Sequence, residues 1–194
     1  MSHAKINDCS AAILAGGKNS RYGGFHKAFL RFENELLIQR DLNLLLSIFK
    51  EVVIVANQVE IFSSFGVPVY PDIFKERGPL AGIHSALKNI SQEAVMIFGC
   101  DMPYLDKEQI VNIYTHYKNS HENFCIPRSN GMIEPLHGIY SKSGVDALED
   151  FLNENKYNAI HRFLSGQEVN YMEMDSIKEV FVNINSPEDL EKLR

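Results

Sequence analysis

Short β-branched apolar runs alternate along the chain with stretches whose apolar positions recur every three to four residues. The runs predict strands over 10–14, 51–56, 67–70, 94–98, 123–126 and 180–184. Between the first two, Leu37, Asp41, Leu44, Leu45 and Ile48 repeat near a 3.6-residue period and predict a helix over 36–49. The same spacing predicts helices over 79–90 and 106–117, the second opening on Asp106, whose carboxylate can cap it. Strands that read as apolar on both faces, interleaved with helices, call for a mostly parallel sheet covered by helices on both sides, a three-layer α/β fold. Ligands of such sheets bind beyond the carboxyl ends of the strands, so the residues following each strand are where chemistry is to be sought.

Composition narrows the picture. The 194 residues are 45% hydrophobic and 23% charged, which suits one globular domain spanning 1–194 with no disulfide or metal staple. No low-complexity linker or internal repeat marks a boundary. A formal charge of −6 disfavours nucleic acid or an anionic membrane as partner. Cys9, Cys100 and Cys125 are an odd number without a CxxC spacing, and no apolar run reaches the roughly 18 residues of a spanning helix, so a cytoplasmic protein is expected.

After the first strand, four of the twelve glycines fall within nine residues, Gly16, Gly17, Gly23 and Gly24. No acidic residue occurs from Cys9 to Phe32, whereas Lys18, Arg21, Lys27 and Arg31 all lie there. Unshielded backbone amides among cations make a cradle for phosphates, although the spacing fits neither a Walker loop nor GxGxxG. A plain glycine turn with solvated bases is the other reading. The strand at 94–98 runs into Gly99-Cys100-Asp101-Met102-Pro103, where Asp101 is the candidate ligand for a hard divalent cation; capping the next helix is its structural alternative. Asp72, beyond a third strand, suits a sugar hydroxyl, a metal or merely a turn after Pro71, and Asn57 ends the second strand. Gly78 and Pro79 open a helix in which small Gly82 admits either a ligand or a close neighbour. His116, His121 and Cys125 lack the spacing and supporting carboxylates of a zinc site.

Taken in order, Leu14-Ala15-Gly16-Gly17-Lys18 with Arg21 and Gly23, then Lys27, Gly78 to Gly82, Gly99 to Pro103 and Phe181 to Glu188 resemble the molybdenum cofactor guanylyltransferase family from about residue 10 to the C-terminus. The resemblance implies a Rossmann-like nucleotidyltransferase that joins GMP from GTP to the terminal phosphate of molybdenum-bound molybdopterin with Mg2+, releasing pyrophosphate. Matched residue by residue, it implies nucleotide contacts at Leu14, Ala15, Gly16, Lys27, Asn57, Asp72 and Asp101, and Gly17 and Gly78 are further candidates for nucleotide binding. Asp101 also matches the magnesium ligand, and Asn185 of the Asn183-Ile184-Asn185 element is a candidate second metal or phosphate contact. Two positions depart from the family pattern: His26 stands where Asp is frequent, and Glu134-Pro135-Leu136 where Gln-Pro-Leu is usual. Family grounds alone also suggest transient contact with cofactor-insertion chaperones or apo-molybdoenzymes.

The chemistry needs an aligned nucleophile, neutralised phosphates and a stabilised leaving pyrophosphate. A phosphate monoester, with its second pKa near 6, is already ionised at neutral pH and needs no general base. Arg21, Lys27 and Asp101 are therefore the expected catalytic residues, the two cations serving the leaving group. A transferase using CTP or a sugar phosphate, or a pterin carrier without chemistry, remains as an alternative at this stage.

Overall fold

The computed structural model describes residues 4–16, 27–154 and 159–174. The expected strand at 180–184, and with it Asn185, lies outside the described residues, as do Gly17 and Arg21.

The first strand, β1 (Ser10–Leu14), is buried along its whole length. A tight hairpin, β2 (Arg31–Phe32) and β3 (Glu35–Leu36), then leads into α1 (Leu37–Ile48). Its turn residues Glu33 and Asn34 both take positive φ. Arg31 is spent on this turn, donating to the Asn34 carbonyl at 3.1 Å, which removes it from the cationic cradle expected after β1. There follow β4 (Val52–Val55), α2 (Val59–Phe62), β5 (Val69–Tyr70), α3 (Pro79–Asn89), β6 (Ala94–Gly99) and α4 (Lys107–Lys118). The chain closes with β7 (Phe124–Ser129), β8 (Met132–Ile133), β9 (Ile139–Ser141), α5 (Val145–Glu154), α6 (Ile160–Leu164) and β10 (Val169–Glu173).

The main sheet has the order β10-β7-β9-β6-β1-β4-β5, with β8 paired to β7. The block β6-β1-β4-β5 is parallel throughout, as the alternation of strands and helices predicts. On the far side of β6, β8 pairs antiparallel and β10 parallel with β7, neither of them expected, and a further departure is β9, three residues inserted antiparallel between β6 and β7. It is too short to show a period, and only its fit between two buried strands makes it a strand.

Strand side chains alternate between two cores. Ala11, Ile13, Ile54, Met96 and Phe98 face α1 and α4, whereas Ala12, Val53, Val55, Val95 and Ile97 face α3, α5 and α6. The predicted helices at 36–49, 79–90 and 106–117 appear within a residue of those limits. Asp106 caps α4 as anticipated, accepting from the Gln109 amide at 2.9 Å. The apolar stripe of α1 contains Asp41, which is only 2% exposed.

Candidate functional site

Register brings the site together. Leu14, the last residue of β1, lies opposite Val55 of β4 and Gly99 of β6, and Val55 lies opposite Tyr70 of β5. Four strands thus end at one level, and their continuations, Ala15-Gly16, Ala56-Asn57, Pro71-Asp72 and Cys100-Asp101, emerge side by side at one edge. The Ala15 amide still donates to the Val55 carbonyl at 2.9 Å, and Ala56 to Tyr70 at 2.9 Å, so the ladder holds up to the point where the loops begin.

On the β6 side, Lys27 stands at the start of a 3-10 turn that packs against α1 and carries its ammonium 3.2 Å from Asp101 Oδ2. Both side chains are about three-quarters buried, at 27% and 22% exposure, so the pair is partly withdrawn from water and less screened than a surface pair. The helix-capping alternative for Asp101 falls, because Asp106 caps α4. A Cβ placed on Gly99 would lie 2.9 Å from Asp101 Oδ1, so the carboxylate folds back over a residue that offers it room.

On the β4–β5 side, Asn57 and Asp72 form a tight pair. Asn57 Nδ2 donates to Asp72 Oδ2 at 2.6 Å, while Asn57 Oδ1 accepts from the Asp72 amide at 3.2 Å and from Lys75 Nζ at 3.1 Å. Burial raises the Asp72 carboxyl above its usual range, and the Asn57 hydrogen bond and the Lys75 charge oppose that shift. Gly16 lies between the two halves. Among the described residues, a Cβ there would meet Asp72 Oδ2 alone, at 3.9 Å.

The helix α3 starts at the same edge. Gly78 takes φ +66 with nothing near its missing Cβ among the described residues, so glycine serves its backbone conformation, and Pro79 occupies the first turn. Gly82 admits a close neighbour rather than a ligand: a Cβ would lie 3.2 Å from the Leu14 side chain, which lets α3 settle on β1 with its positive end at the strand edge. A 3-10 turn, Pro135–His137, borders the other flank, with Leu136 reaching the space above Gly99. Glu134 at its start is half-buried, and burial raises its carboxyl pKa.

Leu14, Ala15, Gly16, Lys27, Asn57, Asp72, Gly78 and Asp101 therefore share one edge, while Gly17, Arg21 and Asn185 lie outside the described residues. Two further residues escaped sequence reasoning. Lys75 carries no local signal, because its partner Asn57 is remote in sequence. Asp41 had one, a carboxylate in an apolar stripe; burial pushes its pKa up to about 8, with Asp101 and Glu35 adding to the shift and Arg40 opposing it. The thiols of Cys9, Cys100 and Cys125 are each pushed up to about 12 by burial, which makes them poor nucleophiles.

Among the described residues no group of three His, Cys, Asp or Glu side chains converges on a metal. The residues nonetheless fit Mg2+: one hard carboxylate at the strand edge is the protein's customary share when substrate phosphates and water supply the other ligands. Among the described residues no helix is long and apolar enough to cross a membrane.

The sequence profile of the MobA-like NTP transferase domain matches residues 11–170. A probable molybdenum cofactor guanylyltransferase of Clostridium perfringens is 37% identical over 95% of both chains. The molybdenum cofactor guanylyltransferase of Syntrophotalea carbinolica is 33% identical over 95% of this chain and 90% of its own. The crystal structure of molybdopterin-guanine dinucleotide biosynthesis protein A from Archaeoglobus fulgidus superposes with a TM-score of 0.82 at 27% identity, covering 94% of this chain and 95% of that one. With its strand-end residues gathered as described and these relatives spanning nearly its full length, the chain belongs to the MobA-like NTP transferase family, in the company of the molybdenum cofactor guanylyltransferases.

Proposed function

We propose that the protein transfers GMP from GTP to the terminal phosphate of molybdenum-bound molybdopterin, forming the guanine dinucleotide cofactor and releasing pyrophosphate. One observation carries this reading: Lys27 and Asp101 on one side, and Asn57 and Asp72 on the other, stand either side of Gly16 on a single strand edge, in a chain of this family.

The parts divide the labour. The nucleoside lies against the backbone of Leu14, Ala15 and Gly16, with Asn57 and Asp72 offering polar contacts to base and ribose. Gly78 and the first turn of α3 bring a helix N-terminus towards the phosphates. Lys27 meets charge that grows on the leaving pyrophosphate, and Asp101 is the residue that would hold Mg2+. When bound, that ion neutralises phosphate charge that would otherwise repel an anionic nucleophile. The acceptor phosphate is already ionised at neutral pH, so no side chain is assigned as general base. Its entry is on the flank bordered by Glu134 and Leu136. The work is done in the cytoplasm by the single domain, with product passed to cofactor-insertion chaperones or apo-molybdoenzymes.

Incubation with α-labelled GTP, Mg2+ and molybdenum-loaded molybdopterin tests the reading. Labelled dinucleotide together with pyrophosphate is expected, and little product when CTP replaces GTP. Retention of intact cofactor without pyrophosphate release would instead indicate a carrier and overturn the proposal.

A further inference from the structure

We infer that Ser85, on α3, is a positioning residue for the nucleotide site, acting through the peptide that joins Pro71 to Asp72. The inference rests on the guanylyltransferase reading, which makes Asp72 a nucleotide contact.

Ser85 is 0% exposed and sits on the buried face of α3 among Ile83, Ala86 and Leu87. A hydroxyl buried this way needs a partner, and its Oγ donates to the Pro71 carbonyl at 2.7 Å. The N–H of the same peptide group belongs to Asp72 and donates to Asn57 Oδ1 at 3.2 Å. One peptide unit is therefore gripped at both polar ends by side chains from two elements, α3 behind it and the end of β4 beside it.

This unit lies beyond the ladder. β5 ends at Tyr70, and between it and α3 the chain has no regular structure and twice takes positive φ, at Glu76 and Gly78. With both ends held, the peptide plane is fixed, and so is the direction in which Asp72 projects. Asn57 is locked in turn: its carbonyl oxygen takes two donors, the Asp72 amide and Lys75 Nζ, which leaves its NH2 to face Asp72 Oδ2. Ser85 is the member of this arrangement that lies wholly in the core. It touches no ligand, and its effect on one must pass through Asp72.

A binding cycle tests this with the full chain, GTP as the probe, and circular dichroism and melting followed for every variant. Ser85→Ala should weaken GTP binding about tenfold while kcat stays within about twofold, and Ser85→Thr, which keeps the hydroxyl, should recover most of the loss. Asp72→Ala should weaken GTP binding by itself. In that background Ser85→Ala should add less than about twofold, because two residues acting through one contact are not additive. Ser85→Ala with unchanged GTP affinity and only a lower melting temperature would overturn the inference, as would full additivity in the double variant. If Asp72→Ala binds GTP like the wild type, the assignment of Asp72 fails and takes the role of Ser85 with it. If Asp72→Ala weakens binding and Ser85→Ala does not, the role of Ser85 alone is lost.

Discussion

Lys27 Nζ lies 3.2 Å from Asp101 Oδ2, joining residues 74 positions apart in sequence across the carboxyl edge of the sheet. Each group balances the other's charge. In the function proposed above, phosphates and a divalent cation would exchange one set of opposite charges for another and leave no isolated charge in a partly buried site.

Asp101→Asn removes the charge a hard cation requires and changes almost no volume. Turnover should fall below detection at limiting Mg2+, with the melting temperature shifted only slightly, since a partly exposed ion pair contributes about 1 kcal/mol or less. Turnover near the wild-type level at limiting Mg2+ would show that the metal is held elsewhere.

Lys27→Ala tests where in the reaction the ammonium acts. If it serves charge that develops on pyrophosphate, kcat should fall about 100-fold or more while the apparent KM for GTP moves far less. Steady-state kinetics with varied GTP give both quantities. A raised KM at constant kcat would assign Lys27 to ground-state binding.

Gly16→Ala separates fold from specificity. Among the described residues the added methyl meets nothing closer than Asp72 Oδ2 at 3.9 Å, so stability should hold. The methyl does enter the space assigned to guanine, and the preference for GTP over CTP should drop about tenfold, equivalent to about 1.4 kcal/mol. Competition between the two nucleotides with products resolved by mass reads this out; undiminished selectivity would remove Gly16 from base choice.

Asp41 gives the protein a pH-dependent weakness. Its pKa is held at about 8 by burial, against about 3.9 for an unfolded aspartate. Between those values the folded state keeps a proton that the unfolded state releases, so this residue's contribution to stability declines as pH rises from about 4 to about 8. Asp41→Asn should therefore melt close to the wild type at pH 4 and progressively higher above it, by the order of 2–4 kcal/mol near pH 7. Parallel melting curves across that range would show that Asp41 is not protonated in the native state.

Much of the site was legible because its residues stand at strand ends. A run such as 94–98 announces a buried strand by its own composition, and the parallel α/β rule then directs attention to Asp101 and, at the ends of other runs, to Asn57 and Asp72. The glycines were legible as glycines but not in their reasons. Gly82 admits the Leu14 side chain, Gly78 serves its own φ, and Gly16 stands beside the Asp72 carboxylate, three causes that look alike in sequence.

The sequence by itself determined the layered α/β class, the helices over α1, α3 and α4, and which polar residues stand at the strand ends, because periodicity and local composition record whether a segment is buried. Tertiary structure alone decided the insertion of β9 between β6 and β7, the pairing of Lys27 with Asp101, the spending of Arg31 on a hairpin turn, and the hold of Ser85 on Pro71. Most of these depend on the register of neighbouring strands or on the seating of a helix against the sheet, contacts between residues far apart in the chain. Even the short hairpin turn claims Arg31 through a bond to a carbonyl, a choice of partner that composition does not record.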